Sequence, residues 1–159
     1  MKKVLLVFAI FLILVFGMVF VQNYLKTKNF FLLEKNSIIT INNRTFELRV
    51  ADSQKEKEIG LSATKSLQEN QGMIFIFDKP DYHPFWMKNM TIPIDIIYIN
   101  NDKIVTIINN APPPKNQDEN LTIYIPTEPS NKVLEIKAGL SKTYNFKKGD
   151  EVRYENLSN

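Results

Sequence analysis

The stretch MIFIF at residues 73–77 is the one around which the fold is expected to form. This apolar run is short and continuous and is bounded by turn residues. Such a pattern predicts a strand that is buried on both faces. The turn signal is the segment Asp78-Lys79-Pro80-Asp81, which follows immediately. We therefore expect a sheet in which this strand is covered on both sides.

Upstream of this strand, the sequence predicts a hairpin and then a short helix. Residues 38–41 and 46–50 flank Asn42-Asn43-Arg44, and asparagine tolerates the positive φ that tight hairpin turns require. The helix is predicted over residues 54–60, because Ser53-Gln54-Lys55-Glu56 has the form of a capping box and Gly60 is a common helix stop.

Downstream, short apolar segments alternate with turns and with a proline-containing loop over residues 112–120. The predicted strands are residues 85–89, 94–99, 104–108, 122–125, 132–137 and 151–154. About eight short strands, one early helix and no βαβ alternation predict a mainly β domain. Its expected form is a compact sandwich or a barrel-like antiparallel or mixed sheet, with no parallel nucleotide-binding sheet.

The N-terminus carries an apolar run of 18 residues, Val4 to Val21, with no acidic residue before Glu34. As a helix it would cover ~27 Å, close to the ~30 Å hydrocarbon core of a bilayer. It lacks the small-residue cleavage pattern of a secretory signal, so an uncleaved signal anchor is favoured over a cleaved leader. The predicted organisation is a cytoplasmic tail (1–3), a transmembrane helix (4–21), a stem (22–36) and a mainly β domain (37–159).

The distribution of charge and the lack of cysteine restrict the expected location of the domain and its classes of partner. Lys2 and Lys3 precede the span while Lys26 and Lys28 follow it, and the short charged tail favours an inside N-terminus and a single-pass protein with its domain outside the cytoplasm. The net charge of +3 falls to −1 once the four lysines of residues 1–28 are removed, since 16 basic and 17 acidic residues remain. A nucleic-acid partner is therefore not expected. Without cysteine, neither disulfides nor thiolate metal sites can form.

Several motifs together resemble the family known as domain of unknown function 192, over about residues 38–155. The matching segments are Val50-Ala51-Asp52, Gly60-Leu61, Gly72 to Phe77, Phe85-Trp86-Met87-Lys88-Asn89, Ile92 to Ile99, Ala111-Pro112, Val133 to Gly139 and Gly149-Asp150. The chain departs from the family where Ser62 and Thr64 replace a Met-x-Arg pattern and where Met90 replaces a threonine. The resemblance implies a mainly β fold and no established activity.

The segment Phe85 to Asn89 offers the first candidate binding residues. If it is a strand, Trp86 and Lys88 share one face and Asn89 lies on the other. One hypothesis is a groove lined by Trp86 and Lys88, in which the indole stacks on a ligand. The alternative is that Trp86 is a core aromatic residue while Lys88 extends to the surface.

Two acidic residues inside apolar strands are further candidates, Asp95 and Glu135. A buried carboxylate needs a partner, so Asp95 either pairs with Lys88, caps the turn at Pro93, binds a ligand or faces solvent. Glu135 poses the same question. The two acids could also form a general acid and base pair or bind a cation, although their spacing gives no sign that they meet.

Other catalytic and metal signals are weak. His83 is the sole histidine, and its loop position favours an exposed, inert side chain over a metal ligand. No nucleophile elbow, phosphate loop or dinucleotide fingerprint occurs, so no catalytic residue, metal or cofactor is assigned.

Three functions remain open. The favoured one is a binding or accessory module at the outer membrane surface, which uses Trp86, Lys88, Asn89, Asp95 and Glu135 to hold a small polar ligand or an envelope partner. Residues 77–89 and 112–120 are the expected rims. The alternatives are an envelope hydrolase with paired carboxylates and a purely structural interaction domain.

Overall fold

The computed structural model describes residues 15–19, 22, 37–62, 64–115 and 121–157. The chain divides into two units, residues 1–35 and residues 36–159. Within the first unit, residues 15–19 and 22 are helical and exposed. None of the described helices combines the length and apolar character needed to cross a bilayer. Most of the predicted span and stem lies outside the described residues, so the anchor stays a prediction.

The described part of the second unit contains nine strands and two short helices. In chain order these are β1 (Ser37–Ile41), β2 (Arg44–Ala51), α1 (Gln54–Ile59), β3 (Gln71–Asp81), β4 (Phe85–Trp86), β5 (Ile94–Asn100), β6 (Lys103–Ala111), β7 (Ile123–Tyr124), β8 (Ser130–Lys137), α2 (Leu140–Thr143) and β9 (Val152–Glu155). The mainly β prediction is confirmed.

Seven of the strands form one mixed sheet in the order β6-β5-β8-β3-β2-β1-β9, while β4 and β7 pair separately. All neighbours in the large sheet are antiparallel except β2 and β3, which run parallel. A parallel pair needs a long crossover, and residues 52–70, which contain α1, provide it. The expectation that no βαβ unit would occur is therefore wrong at this one place, because a six-residue helix gives only a weak periodic signal.

The large sheet is curled into a half-barrel. Its two edge strands meet at one end, where Lys103 forms a bridge with Glu151. There the Ile104 N–H donates to the Asp150 carbonyl at 3.1 Å and the Val152 N–H donates to the Asp102 carbonyl at 2.8 Å. The barrel-like alternative of the sequence prediction thus describes the sheet better than a sandwich.

Both faces of the sheet are covered, which explains why β5 is apolar at nearly every position. The inner cluster draws buried residues from all seven strands and from α2 and its flank, including Ile97, Leu134 and Leu140. The outer cluster includes Phe75, Ile96, Tyr98 and Val133 and is covered by residues of the β4–β5 segment such as Met87 and Met90. Side chains of β5 and β8 therefore alternate between two cores rather than between core and solvent.

The sequence correctly predicted the features that depend on local backbone conformation, namely the β1–β2 turn and the start of α1. Asn42 and Asn43 have φ of 46° and 63° and connect β1 to β2. Ser53 and Glu56 form the complete capping box of α1. The predicted strand at residues 85–89 ends at Trp86, because the chain turns through Asn89, whose φ is 58°. Helix α2 was not predicted, since its four residues are too few for a periodic pattern.

Candidate functional site

A cavity of about 210 Å³ opens on the outer face of the sheet. Its walls come from α1 and the residues after it, from β3, from the β4 region and from β8. The described residues that line it are Gln54, Lys57, Glu58, Ile59, Gly60, Leu61, Phe75, Phe77, Pro84, Phe85, Trp86, Lys88, Met90 and Glu135. It thus combines aromatic walls, lysines and two carboxyl groups.

Glu135 is the buried polar group of the cavity, with only 6% of its surface exposed. It faces the outer cluster because it pairs with Met73 of β3 and Ile96 of β5, which both belong to that cluster. Among the described residues, none hydrogen-bonds its Oε2 atom. Burial raises the pKa of Glu135 to about 8, since the ionised form loses its hydration there.

The strands come very close together beside this carboxyl group. A Cβ atom on Gly72 would lie 2.9 Å from the carbonyl oxygen of Glu135, so β3 can pack against β8 here only with a glycine. Tyr98 lies on the same face of the sheet, and its pKa is raised by burial and, to a smaller extent, by the charge of Glu135. The Tyr98 hydroxyl donates to the Tyr124 carbonyl at 3.0 Å, so it has a partner of its own.

Aromatic rings form the walls of the cavity. Phe85 packs edge-to-face on Phe75, with ring centroids 4.9 Å apart, and on Phe77 at 6.4 Å. The Lys57 ammonium lies 4.8 Å from the centroid of Phe77, within the range of a cation–π interaction. These rings hold their positions by mutual packing and leave room between them and Glu135.

Trp86 and Lys88 both line this cavity, and both are exposed. The core alternative for Trp86 is wrong, because 52% of its surface is accessible while Phe85 and Met87 point inwards. This follows from the pairing of β4 with β7 at the edge of the outer core, where Trp86 lies opposite Ile123. Asn89 is in the turn after β4 and is not among the described residues that line the cavity.

Asp95 lies elsewhere, fully buried on the inner side of the sheet. Its Oδ1 accepts from the N–H groups of Asn110 at 2.7 Å and Gly139 at 3.0 Å, and its Oδ2 accepts from the Ser141 N–H at 2.8 Å. It therefore ties the end of β6 and the start of α2 to β5. Asp95 is therefore neither exposed to solvent nor paired with Lys88. Backbone N–H groups satisfy its carboxylate instead.

The carboxyl groups of Asp95 and Glu135 lie on opposite faces of the sheet. Asp95 pairs with Ile136 and Glu135 pairs with Ile96, so adjacent positions of two neighbouring strands carry the acids to opposite faces. A paired-carboxylate hydrolase requires both groups in one cleft. The structure contradicts that arrangement.

His83 is half-buried rather than exposed. Its ring stacks on Phe77 with centroids 3.6 Å apart, and its Nε2 lies 3.3 Å from the Lys79 carbonyl oxygen. It supports an aromatic wall of the cavity from outside the lining set. The described residues contain no group of three or more side chains suited to hold a metal ion.

Sequence reasoning identified Trp86, Lys88 and Glu135 but missed the rings Phe75, Phe77 and Phe85 and the helix residue Lys57. Alternation along MIFIF does place Phe75 and Phe77 on one face. The strand register, which places Met73 opposite Glu135 and so brings Phe75 to the same face of the sheet as Glu135, is not specified by either strand alone. Five residues of the rim expected at residues 77–89 do line the cavity, namely Phe77, Pro84, Phe85, Trp86 and Lys88. Residues 116–120 of the second expected rim lie outside the described residues.

Residues 37–154 match the model of the family described as an uncharacterised ACR, domain of unknown function 192. The chain belongs to this family. The resemblance found in the sequence motifs is thereby confirmed, and with it the mainly β fold. No curated protein matches the chain.

Two solved structures are similar to this member of the family. One is a protein of unknown function from Novosphingobium aromaticivorans, with 33% identity and a TM-score of 0.63 over 74% of this chain and 83% of that one. The other, from Sinorhizobium meliloti, is described as a candidate transcription regulator; it has 30% identity and a TM-score of 0.63 over 76% and 92% of the two chains.

Proposed function

We propose that this protein is a binding module whose cavity holds a small ligand against Glu135, Trp86 and Lys88. The observation that carries the proposal is the buried Glu135 carboxyl group, whose Oε2 faces no hydrogen-bond partner among the described residues. A buried polar atom without a partner costs about 1–3 kcal/mol. A ligand that pairs with this atom offsets that cost. The unpaired carboxyl group therefore favours a ligand-binding site over a purely structural core.

The role is binding rather than hydrolysis. The hydrolase hypothesis paired Glu135 with Asp95, but Asp95 lies on the other face of the sheet. The other carboxyl group of the lining, Glu58, is exposed at the mouth of the cavity. Regulation of transcription is not carried over from the Sinorhizobium meliloti relative either, because residues 29–159 have a net charge of −1.

An envelope protein is a second kind of partner that the surface would suit. Ile123 and Ile125 are 58% and 55% exposed, and Ile123 lies opposite Trp86 in the β4–β7 pair. Exposed apolar side chains beside a ligand site are suited to contact a partner. A purely structural role is the weaker alternative, since it gives no account of the cavity.

We expect the tryptophan fluorescence of the full-length protein to report ligand binding, because Trp86 is the sole tryptophan and lines the cavity. A screen of sugars, peptidoglycan fragments, amino acids, amines and nucleotides should yield compounds that change its emission and raise the melting temperature. The Glu135→Gln variant should lose the response while it stays folded. A panel without any response, or a response unchanged in Glu135→Gln, argues against the proposal.

We also propose that residues 4–21 anchor the domain in a membrane and hold it outside the cytoplasm. The support is the 18-residue apolar run and the two lysines before it. The full-length protein should sediment with membranes after alkaline carbonate washing and be released by detergent, and a chain without residues 1–30 should be soluble. External protease should digest the domain in cells whose cytoplasmic membrane is intact. Release by carbonate alone, or protection of the domain from protease, contradicts the anchor or its orientation.

A further inference from the structure

The size of the cavity limits what it can hold. At about 210 Å³ it is larger than the ~150 Å³ apolar cavity that accommodates benzene, and it is smaller than the ~300–1,000 Å³ of drug-sized ligand pockets. A nucleotide or a disaccharide would extend beyond it, so only one group of such a ligand lies inside. The occupant is therefore a group about as large as one ring or one branched amine.

The chemistry of the lining distinguishes between ligands of that size. The deep polar group is the Glu135 carboxyl, and the walls beside it are the rings of Phe75, Phe85 and Trp86. The face of an aromatic ring carries negative potential and attracts cations. Phe77 already binds a cation in this way, since the Lys57 ammonium lies 4.8 Å from its centroid.

We propose that the cavity binds an organic ammonium group, placed between the Glu135 carboxylate and the aromatic walls. The inference rests on the proposed function and specifies the ligand class for that site. A cation supplies an ion-pair partner for the Glu135 carboxylate, and the rings replace part of the hydration that the cation gives up. A neutral apolar ligand of equal size satisfies the rings but leaves the carboxyl group unpaired.

The lysines at the mouth do not oppose this occupant. Lys57 is held over Phe77, and Lys88 is exposed to solvent, where salt screens its charge. Glu58 also lines the mouth and partly balances the two lysines. Glu135 is the buried carboxyl group of the lining, so its charge, once it ionises, is screened least.

Binding of the cation should be linked to release of a proton. Burial holds the pKa of Glu135 at about 8, so at pH 7 most of the free protein carries a neutral carboxyl group that must ionise to pair with the cation. Affinity is therefore expected to rise about tenfold per pH unit below 8 and to level off above it. The other titratable or charged groups that face Glu135 are Lys57, Glu58, Lys88 and Tyr98, and His83 lies behind Phe77.

Three probes of one shape and different charge test the inference. These are choline, its neutral isostere 3,3-dimethylbutan-1-ol and the anion 3,3-dimethylbutanoate. Titration calorimetry of the full-length protein at pH 8.5 should show choline binding at least tenfold more tightly than the alcohol, and the anion weakest. At pH 7, the enthalpy measured in buffers of different ionisation heat should reveal nearly one proton released per choline bound.

Matched variants assign the effect to Glu135. Glu135→Gln should reduce choline affinity at least tenfold, remove its pH dependence and leave the alcohol unaffected. Glu155→Gln, the same change at an exposed position of β9, should behave as the wild type. His83→Gln should keep the pH dependence, because the linked proton belongs to Glu135. A melting curve of each variant verifies that it is folded.

The inference is overturned if the alcohol or the anion binds as tightly as choline, if choline does not bind, or if Glu135→Gln keeps the affinity and its pH dependence. Its failure can be told apart from failure of the proposed function. If other compounds change Trp86 emission in a manner that depends on Glu135, the site stands and the ligand class is wrong. If no compound does, both fail.

Discussion

Replacement of Asp95 by alanine is expected to lower the free energy of unfolding by roughly 3–5 kcal/mol. The change removes the acceptor for three backbone N–H groups, those of Asn110, Gly139 and Ser141. The site is fully buried, so water can replace the lost hydrogen bonds only in part. Urea denaturation of the variant and the wild type measures the loss.

Two further variants make this result specific. Asp95→Asn keeps one oxygen acceptor but points an NH₂ group at backbone donors, so its loss should also be large. Asp78→Ala removes an exposed carboxylate from β3 and should change stability by no more than about 0.5 kcal/mol. A loss below about 1 kcal/mol for Asp95→Ala would show that the carboxylate does not hold β6 and α2 to β5.

Glu135 should make the protein less stable as pH rises from 5 to 8. Its pKa is about 8 in the folded state and near 4.5 when unfolded, so in this range the unfolded chain loses a proton that the folded chain keeps. The contribution of Glu135 to stability is thus most favourable below pH 4.5 and declines until the folded protein also ionises near pH 8. The decline attributable to this residue is at most roughly 4 kcal/mol between pH 5 and 8.

The comparison with Glu135→Gln isolates this contribution. Glutamine does not titrate, so the stability difference between the variant and the wild type should shift in favour of the variant as pH rises. Glu155→Gln, at an exposed site, should follow the wild type at every pH. If the stability of the wild type and of Glu135→Gln changes with pH in parallel, Glu135 is hydrated in the folded protein. The proposal that the cavity binds a ligand would then lose its main support.

The parts of the fold that could be predicted are those controlled by neighbouring residues. The β1–β2 hairpin follows from Asn42 and Asn43, and the start of α1 follows from Ser53 and Glu56. The order of the strands depends on distant segments and was not foreseen. The parallel pairing of β2 with β3 and the contact of β6 with β9 both join segments whose sequences do not specify each other.

The same distinction applies to the site. Trp86 and Lys88 both reach the cavity, but strand alternation does not explain this, because β4 ends at Trp86 and Phe85 lines the cavity as well. Exposure of Trp86 could not be inferred, because it depends on β7, which leaves the outer side of the indole uncovered. Asp95 and Glu135 looked equivalent in sequence, yet a one-position offset in the pairing of β5 with β8 gives one a structural role and leaves the other in the cavity.

The most direct test of the central claim is to locate a bound ligand by intermolecular nuclear Overhauser effects. The compound with the largest Trp86 fluorescence response should be titrated into full-length protein with labelled aromatic rings and isoleucine methyl groups. We expect contacts from ligand protons to the rings of Phe75, Phe85 and Trp86, all of which line the cavity with Glu135. Contacts confined to the exposed Ile123 and Ile125, without any to Phe75 or Phe85, would contradict it.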